Sequence, residues 1–218
     1  MRANNVILAA IVVFSFVLSI YFYPQMPEQM VAHWGIKGDA DGMMSRFWGL
    51  FLFPVLLTAF IIMFSFMPRI DPLRQNIDEF RGYFDNFIIL LFAFFVALQA
   101  LMISWNLGFI VPIIPFICVW IGALFYYAGV LMQHAKKNWF IGLRTPWTMS
   151  SEKVWDKTHK LGSKLFKVSG MIAILGSFAE EFAFLFVLGP IFVSAFYTTY
   201  YSYKEYQKEQ KGLQQTAS

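Results

Sequence analysis

Cysteine is almost absent. Cys118 is the single one in 218 residues, so no disulfide closes within the chain and no thiolate cluster can hold a metal. Charge is scarce as well, at 14% of residues against about 25% in soluble domains. That scarcity excludes an ordinary water-soluble globule and a disordered chain. Catalytic signatures are missing too: there is no His-Glu-x-x-His, no Gly-x-Ser-x-Gly, no Cys-x-x-Cys and no Gly-x-x-x-x-Gly-Lys. Zincin, hydrolase-elbow, thiol-redox and P-loop chemistries therefore have no starting point here, and no cofactor is expected.

What the chain has is apolar surface. Hydrophobic residues make up 58% and aromatic residues 20%, including 26 Phe, with a mean hydropathy of +0.57. This exceeds what one soluble core of this size hides, so much of it must face lipid. Backbone groups in a bilayer must be satisfied internally, so long apolar runs read as helices of about 20 residues. Six runs qualify: Val6 to Tyr23, Phe47 to Met67, Phe84 to Trp105, Phe109 to Leu131, Leu165 to Phe178, and Phe182 to Tyr203. The fifth is short for a membrane, and its helix is expected to begin in the amphipathic stretch before Leu165. The first reads as an uncleaved anchor, because Pro24-Gln25-Met26-Pro27 lacks a small-residue cleavage site.

The 17 basic residues set the orientation. With the N-terminus inside, every Lys and Arg except Lys37 and Arg46 falls on the cytoplasmic side, as the positive-inside rule requires. The expected fold is thus an all-α membrane protein with six transmembrane helices and both termini cytoplasmic. It divides into an N-terminal two-helix module (1–82) with an extracellular loop at 24–46, a central hairpin (83–131), a C-terminal module (132–203) and a cytoplasmic tail (204–218). Tryptophans 34, 48, 105, 139, 147 and 155 fall in loops or near span ends, as interfacial anchoring expects. Pro112 and Pro115 fall in the first turns of the fourth span, and Pro54 inside the second.

Three loops carry candidate chemistry. In the outer loop, Gly35, Gly38 and Gly42 with Asp39 and Asp41 predict tight turns. His33 beside these carboxylates reads either as a structural histidine or as part of a metal or proton site. In the second cytoplasmic segment, Asp71-Pro72 reads as an N-cap followed by a first helical proline. In the third, Gly142 and Thr145-Pro146 impose turns, and Ser150 or Ser151 can cap a helix that has Glu152 in its first turn. On that helix Lys153, Lys157, Lys160, Lys164 and Lys167 share one stripe. An amphipathic interfacial helix with its lysines on anionic inner-leaflet head groups is expected. Glu152, Trp155, His159 and Phe166 form another face, left to pack on the Gly142–Trp147 loop or on a partner. Arg144 can clamp a carboxylate or phosphate, or pair with Glu152 or Asp156. Glu180-Glu181 reads as the turn between the last two spans.

Together these segments resemble the SdpI family of bacterial and archaeal membrane proteins, named for an immunity protein against a secreted toxic peptide, with its associated N-terminal domain of unknown function. The resemblance rests on Tyr23-Pro24-Gln25-Met26-Pro27 leading to His33-Trp34, Gly38, Asp41-Gly42 and Arg46. Pro68-Arg69-Ile70-Asp71-Pro72 with Asn76 adds to it. Its most specific part is Asn138-x-Phe140-Ile141-Gly142-x-Arg144-Thr145-Pro146-Trp147-Thr148, then Glu152-x-x-Trp155-x-x-x-His159. It implies a multi-pass cell-membrane immunity protein without catalysis. In the namesake system the protein also holds a cytosolic repressor at the membrane when toxin is met. The resemblance then implies toxin contacts in the outer loop (His33, Trp34, Asp39, Asp41) and on span surfaces, repressor contacts in the region from Arg144 to His159, with Asn138 and Gly142 as further binding candidates, and no direct contact with nucleic acid. A membrane enzyme or a small transporter is the competing reading, though the spans carry no clear ionisable pair at mid-membrane.

Overall fold

The computed structural model describes residues 3–216; Arg2, counted above with the inner basic residues, lies outside them. Eight α-helices and one β-hairpin follow the punctuation of the apolar runs. They are α1 (Ala3–Phe22), β1 (Gln29–Trp34), β2 (Ala40–Ser45), α2 (Arg46–Ile70), α3 (Arg74–Glu79), α4 (Arg81–Asn106), α5 (Ile113–His134), α6 (Pro146–Ser150), α7 (Glu152–Leu175) and α8 (Ala183–Thr216). Six of these, α1, α2, α4, α5, α7 and α8, are long and apolar enough to cross a membrane. Side-chain bonds sort their ends. The starts of α1, α4 and α7 lie with the ends of α2, α5 and α8 at one end of the bundle. The β-hairpin closes the other, docked to the end of α4 by Asn106, which accepts from Val31 N–H at 2.8 Å and donates to Val31 C=O at 3.0 Å.

Several boundaries differ from expectation, each for a local reason. The 24–46 segment is not turns alone: its strands pair antiparallel from Gln29–Ser45 to Trp34–Ala40 with an irregular register at His33. Met30 drives this pairing inward, wholly buried against Gly49, Met26 and Leu50. Pro112 precedes α5 as its N-cap residue, and Val111 before it is steered away from helical geometry. Asp71 does not cap a helix beginning at Pro72. Its Oδ1 accepts from Leu73 N–H at 2.7 Å, forming an Asx turn, and α3 starts only at Arg74. The fifth helix, by contrast, begins in the amphipathic stretch as expected, the two forming one continuous α7, while α8 runs past its expected end at Tyr203 through the tail to Thr216.

Two packing solutions hold the spans. Between α5 and α7 the backbones touch through glycine. A Cβ on Gly170 would sit 2.5 Å from Gly122 O, one on Gly122 2.6 Å from Gly170 O, and one on Gly129 2.7 Å from Ser163 O. Such close approach replaces the hydrophobic drive that lipid cannot supply. Between α1, α2 and α4 the solution is polar. Pro54 has no N–H to give the carbonyl four residues back, that of Leu50. Ser19 Oγ donates to that carbonyl at 2.7 Å, and Gln99 Nε2 reaches it at 3.3 Å. Ser15 Oγ donates to Gln99 Oε1 at 2.6 Å, and Gln99 Nε2 donates to Ser19 Oγ at 2.8 Å. Ser15, Ser19 and Gln99 are all 0% exposed.

This assigns Ser19 and Gln99 to a vacancy made by proline. Ser19→Ala should destabilise the protein by about 1 kcal/mol, and by less in a Pro54→Ala background, where the restored N–H serves Leu50. Reversible unfolding in mixed micelles across the four-member cycle measures this; equal costs in both backgrounds would refute the assignment.

Candidate functional site

The 135–151 segment between α5 and α7 mixes exposed residues with buried polar ones, and each of the buried ones, Asn138, Thr145 and Thr148, needs a partner. Asn138 organises its first half from inside. Its Oδ1 accepts from the N–H groups of Phe140 (2.9 Å) and Ile141 (2.6 Å), and its Nδ2 donates to the carbonyls of Lys136 (2.8 Å) and Ile141 (3.0 Å). That is the full capacity of a side-chain amide used on one turn. The turn is also stitched to the α2–α3 connection: buried Asp71 Oδ2 accepts from Trp139 N–H at 2.9 Å, and Asn76 Nδ2 donates to Lys137 C=O at 2.7 Å.

The second half rests on α7. Gly142 has φ +102°, and a Cβ there would lie 2.4 Å from His159 Nε2. Only glycine tolerates both the conformation and the approach. His159 Nε2 accepts from Leu143 N–H at 3.1 Å while its Nδ1 faces Trp155 C=O at 2.9 Å. These partners assign a neutral imidazole with its proton on Nδ1. The Trp155 ring stacks on it at 3.9 Å, and Trp155 Nε1 donates to Ala135 C=O at 2.8 Å. Trp155, placed among interfacial anchors by its position, is thus a core residue, 1% exposed.

Thr145 and Thr148 then form a reciprocal capping box that starts α6, with Pro146 at its first position. Thr145 Oγ1 also meets Ser202 Oγ of α8 at 3.0 Å, and Trp147 packs on Tyr203 at 5.1 Å. Ser151, rather than Ser150, caps α7, its Oγ accepting from Val154 N–H at 3.2 Å. Glu152 follows, exposed in the first turn, where its charge suits the helix dipole.

Arg144 is the exposed member of the set. Its Nη1 donates to Trp139 C=O, and among the described residues it pairs with neither Glu152 nor Asp156. Asn138, Thr145, Trp155 and His159 therefore act from beneath, while Gly142, Arg144 and Pro146 form the accessible rim. Phe166, grouped with Trp155 and His159 by helical spacing, stacks on Phe125 of α5 instead.

The outer-loop residues stand at the opposite end of the bundle. His33 Nδ1 lies 2.5 Å from Asp41 Oδ1, both well exposed. The main-chain carbonyl of Asp39 closes the hairpin tip by accepting from Gly35 N–H at 2.9 Å, and Trp34 packs edge-on against Trp105 at 5.4 Å. Among the described residues no group of three His, Cys, Asp or Glu side chains could hold a metal ion. Asp71, Asn76 and Asn106 are the residues whose roles spacing alone did not give. Asp71 and Asn76 were visible in the sequence pattern, but their partners lie 68 and 61 residues away.

Separate roles for rim and support predict separate effects. Gly142→Ala should lose about 2 kcal/mol or more through its positive φ and the displaced Leu143 bond, with faster hydrogen exchange across 138–145. Arg144→Ala should leave both unfolding and exchange elsewhere in the loop near wild type. Exchange by mass spectrometry with parallel unfolding curves checks both.

Comparison with known proteins places these features in a family. The model of the SdpI/YfhL protein family matches residues 134–202, the loop and last two spans. A domain of unknown function, DUF1648, matches residues 10–58, from α1 through the hairpin into α2. "Immunity protein SdpI" of Bacillus subtilis (strain 168) is 32% identical over 206 residues, covering 94% of this chain and 97% of that protein. "Uncharacterized membrane protein YbgB" of the same organism is 35% identical over 57 residues, 26% of this chain and 63% of that protein. No solved structure matches the chain. With six membrane-crossing helices and a relative similar along nearly its whole length, this is a multi-pass bacterial cell-membrane protein, and it belongs to the SdpI/YfhL protein family.

Proposed function

We propose that the chain is a membrane immunity protein that protects the cell producing it from a secreted membrane-active peptide. The observation that carries this reading is its identity to a protein named for immunity, which extends over both halves rather than one shared module. The distribution of basic residues supports an orientation with the 135–151 loop and both termini in the cytoplasm and the hairpin outside. The hairpin and the outer ends of the spans then meet the peptide first.

In the same reading the rim around Arg144 is a landing surface for a cytosolic repressor. Its guanidinium has donors left after bonding Trp139, and a rigid loop presents it to the cytoplasm. The side chains best suited to catalysis support a non-enzymatic role: His159 and Asn138 have their polar atoms committed to holding the loop.

Expression in cells sensitive to a secreted membrane-active peptide should raise survival over an empty-vector control, and absence of protection across a panel of such peptides would overturn the immunity reading. The repressor reading is tested apart from it. Arg144→Ala should keep protection while losing retention of a cytosolic DNA-binding protein on membranes, and equal retention by wild type and variant would remove Arg144 from that role.

A further inference from the structure

The lysine stripe of α7 is divided by its neighbours. Lys157 turns toward α8, where buried Glu205 accepts from its Nζ at 2.5 Å and from Lys208 Nζ at 2.6 Å. Lys160, Lys164 and Lys167 turn toward the end of α5 and, with Lys136, line a cavity of about 530 Å³. Gln133, Ser163, His159 and Asp156 complete its polar wall, and Met132 adds an apolar one. Four ammonium groups share this space with one carboxylate. Lys167 donates to Gln133 Oε1, and among the described residues Lys136, Lys160 and Lys164 form no ion pair. Cations gathered around one space repel unless an anion enters.

We propose that this cavity is a discrete binding site for the phosphate head group of an anionic membrane lipid. Its volume falls in the range of ligand pockets, about 300–1,000 Å³. It sits where α7 changes from charged to apolar, so a phosphate among Lys136, Lys160 and Lys164 leaves acyl chains beside the apolar half of the helix. Basic clefts between membrane helices take anionic head groups on these grounds. A soluble phosphate finds the same charges but not the apolar continuation. The wall residue His159 is the one that holds Leu143 N–H, so an occupied cavity steadies the 142–145 turn from behind.

The test uses the full chain in nanodiscs, with retained lipid counted by native mass spectrometry. Lys160→Gln with Lys164→Gln should lower retention of phosphatidylglycerol about thirtyfold relative to phosphatidylcholine. Lys153→Gln with Lys204→Gln removes the same charge outside the cavity and should change it less than about twofold. Both pairs are exposed, and their unfolding midpoints are checked against wild type. Equal losses in the two pairs would mean diffuse surface attraction and overturn the site. Displacement of phosphatidylglycerol by an equal concentration of inorganic phosphate would overturn the lipid assignment. Leu143 amide exchange should slow in phosphatidylglycerol relative to phosphatidylcholine for wild type only; no difference would overturn the link through His159.

Discussion

A carbonyl inside hydrocarbon has no water to turn to, and the hydrogen bond missing at Pro54 shows how far that rule reaches. The open carbonyl of Leu50 is met by side chains from two other helices, so one proline in α2 fixes how α1 and α4 must approach it. Buried hydroxyls also tie the last two spans, here without filling the carbonyl that a proline leaves open. Ser169 of α7 donates to the carbonyl of Pro190 in α8 at 3.0 Å, and its hydroxyl meets that of Ser194 at 2.7 Å. Apolar side chains are nearly as comfortable in lipid as against each other, so these few polar bonds and the glycine contacts of α5 and α7 specify the bundle more than its many phenylalanines do.

The same accounting shapes the loop between α5 and α7. A long connection would normally lie open to water, yet Asn138, Thr148 and His159 are almost wholly buried. Each uses its hydrogen-bonding capacity on backbone: Asn138 on its own turn, Thr148 on the carbonyl of Leu143, and His159 on the amide of the same residue. Leu143 is thereby held at both its amide and its carbonyl, and Arg144 follows it directly. The exposed guanidinium is presented from a backbone with little freedom, which suits a recognition element better than a side chain on a mobile loop.

The spans were legible because hydropathy over about 20 residues is a strong signal, and the loop's turns were legible because Gly142, Thr145 and Pro146 have few conformational uses. The hairpin was less so. Gln29–Trp34 has only six residues, with Met30 fully buried but Val31 and Ala32 both intermediate, so no clean alternation marks it. Asp71 showed its residue type but not its role, because its binding of Trp139 depends on how the end of α2 meets the loop after α5. Helical spacing grouped the lysines on one stripe, but it could not divide them. That division follows from where α5 and α8 lie, and above all from Glu205, which belongs to a stretch that reads as a tail in sequence and is the continuation of α8 in space.

Two of the loop's anchors sit on the α5–α7 pair: Ala135, at the end of α5, accepts the Trp155 indole, and His159, on α7, accepts the Leu143 amide. With backbones in contact at Gly122, Gly129 and Gly170, these two helices cannot slide by a fraction of a turn without steric conflict. The pair therefore behaves as a rod joining the hairpin end of the bundle to the loop end. The start of α5 lies under the hairpin tip, where a Cβ on Gly38 would touch Ile113 at 3.3 Å. A tilt of this pair at the hairpin end would carry the Ala135 and His159 anchors of the loop with it. A coupling between the two ends needs an element whose position both ends bias, and the α5–α7 pair, touching the hairpin tip at one end and the loop at the other, is such an element.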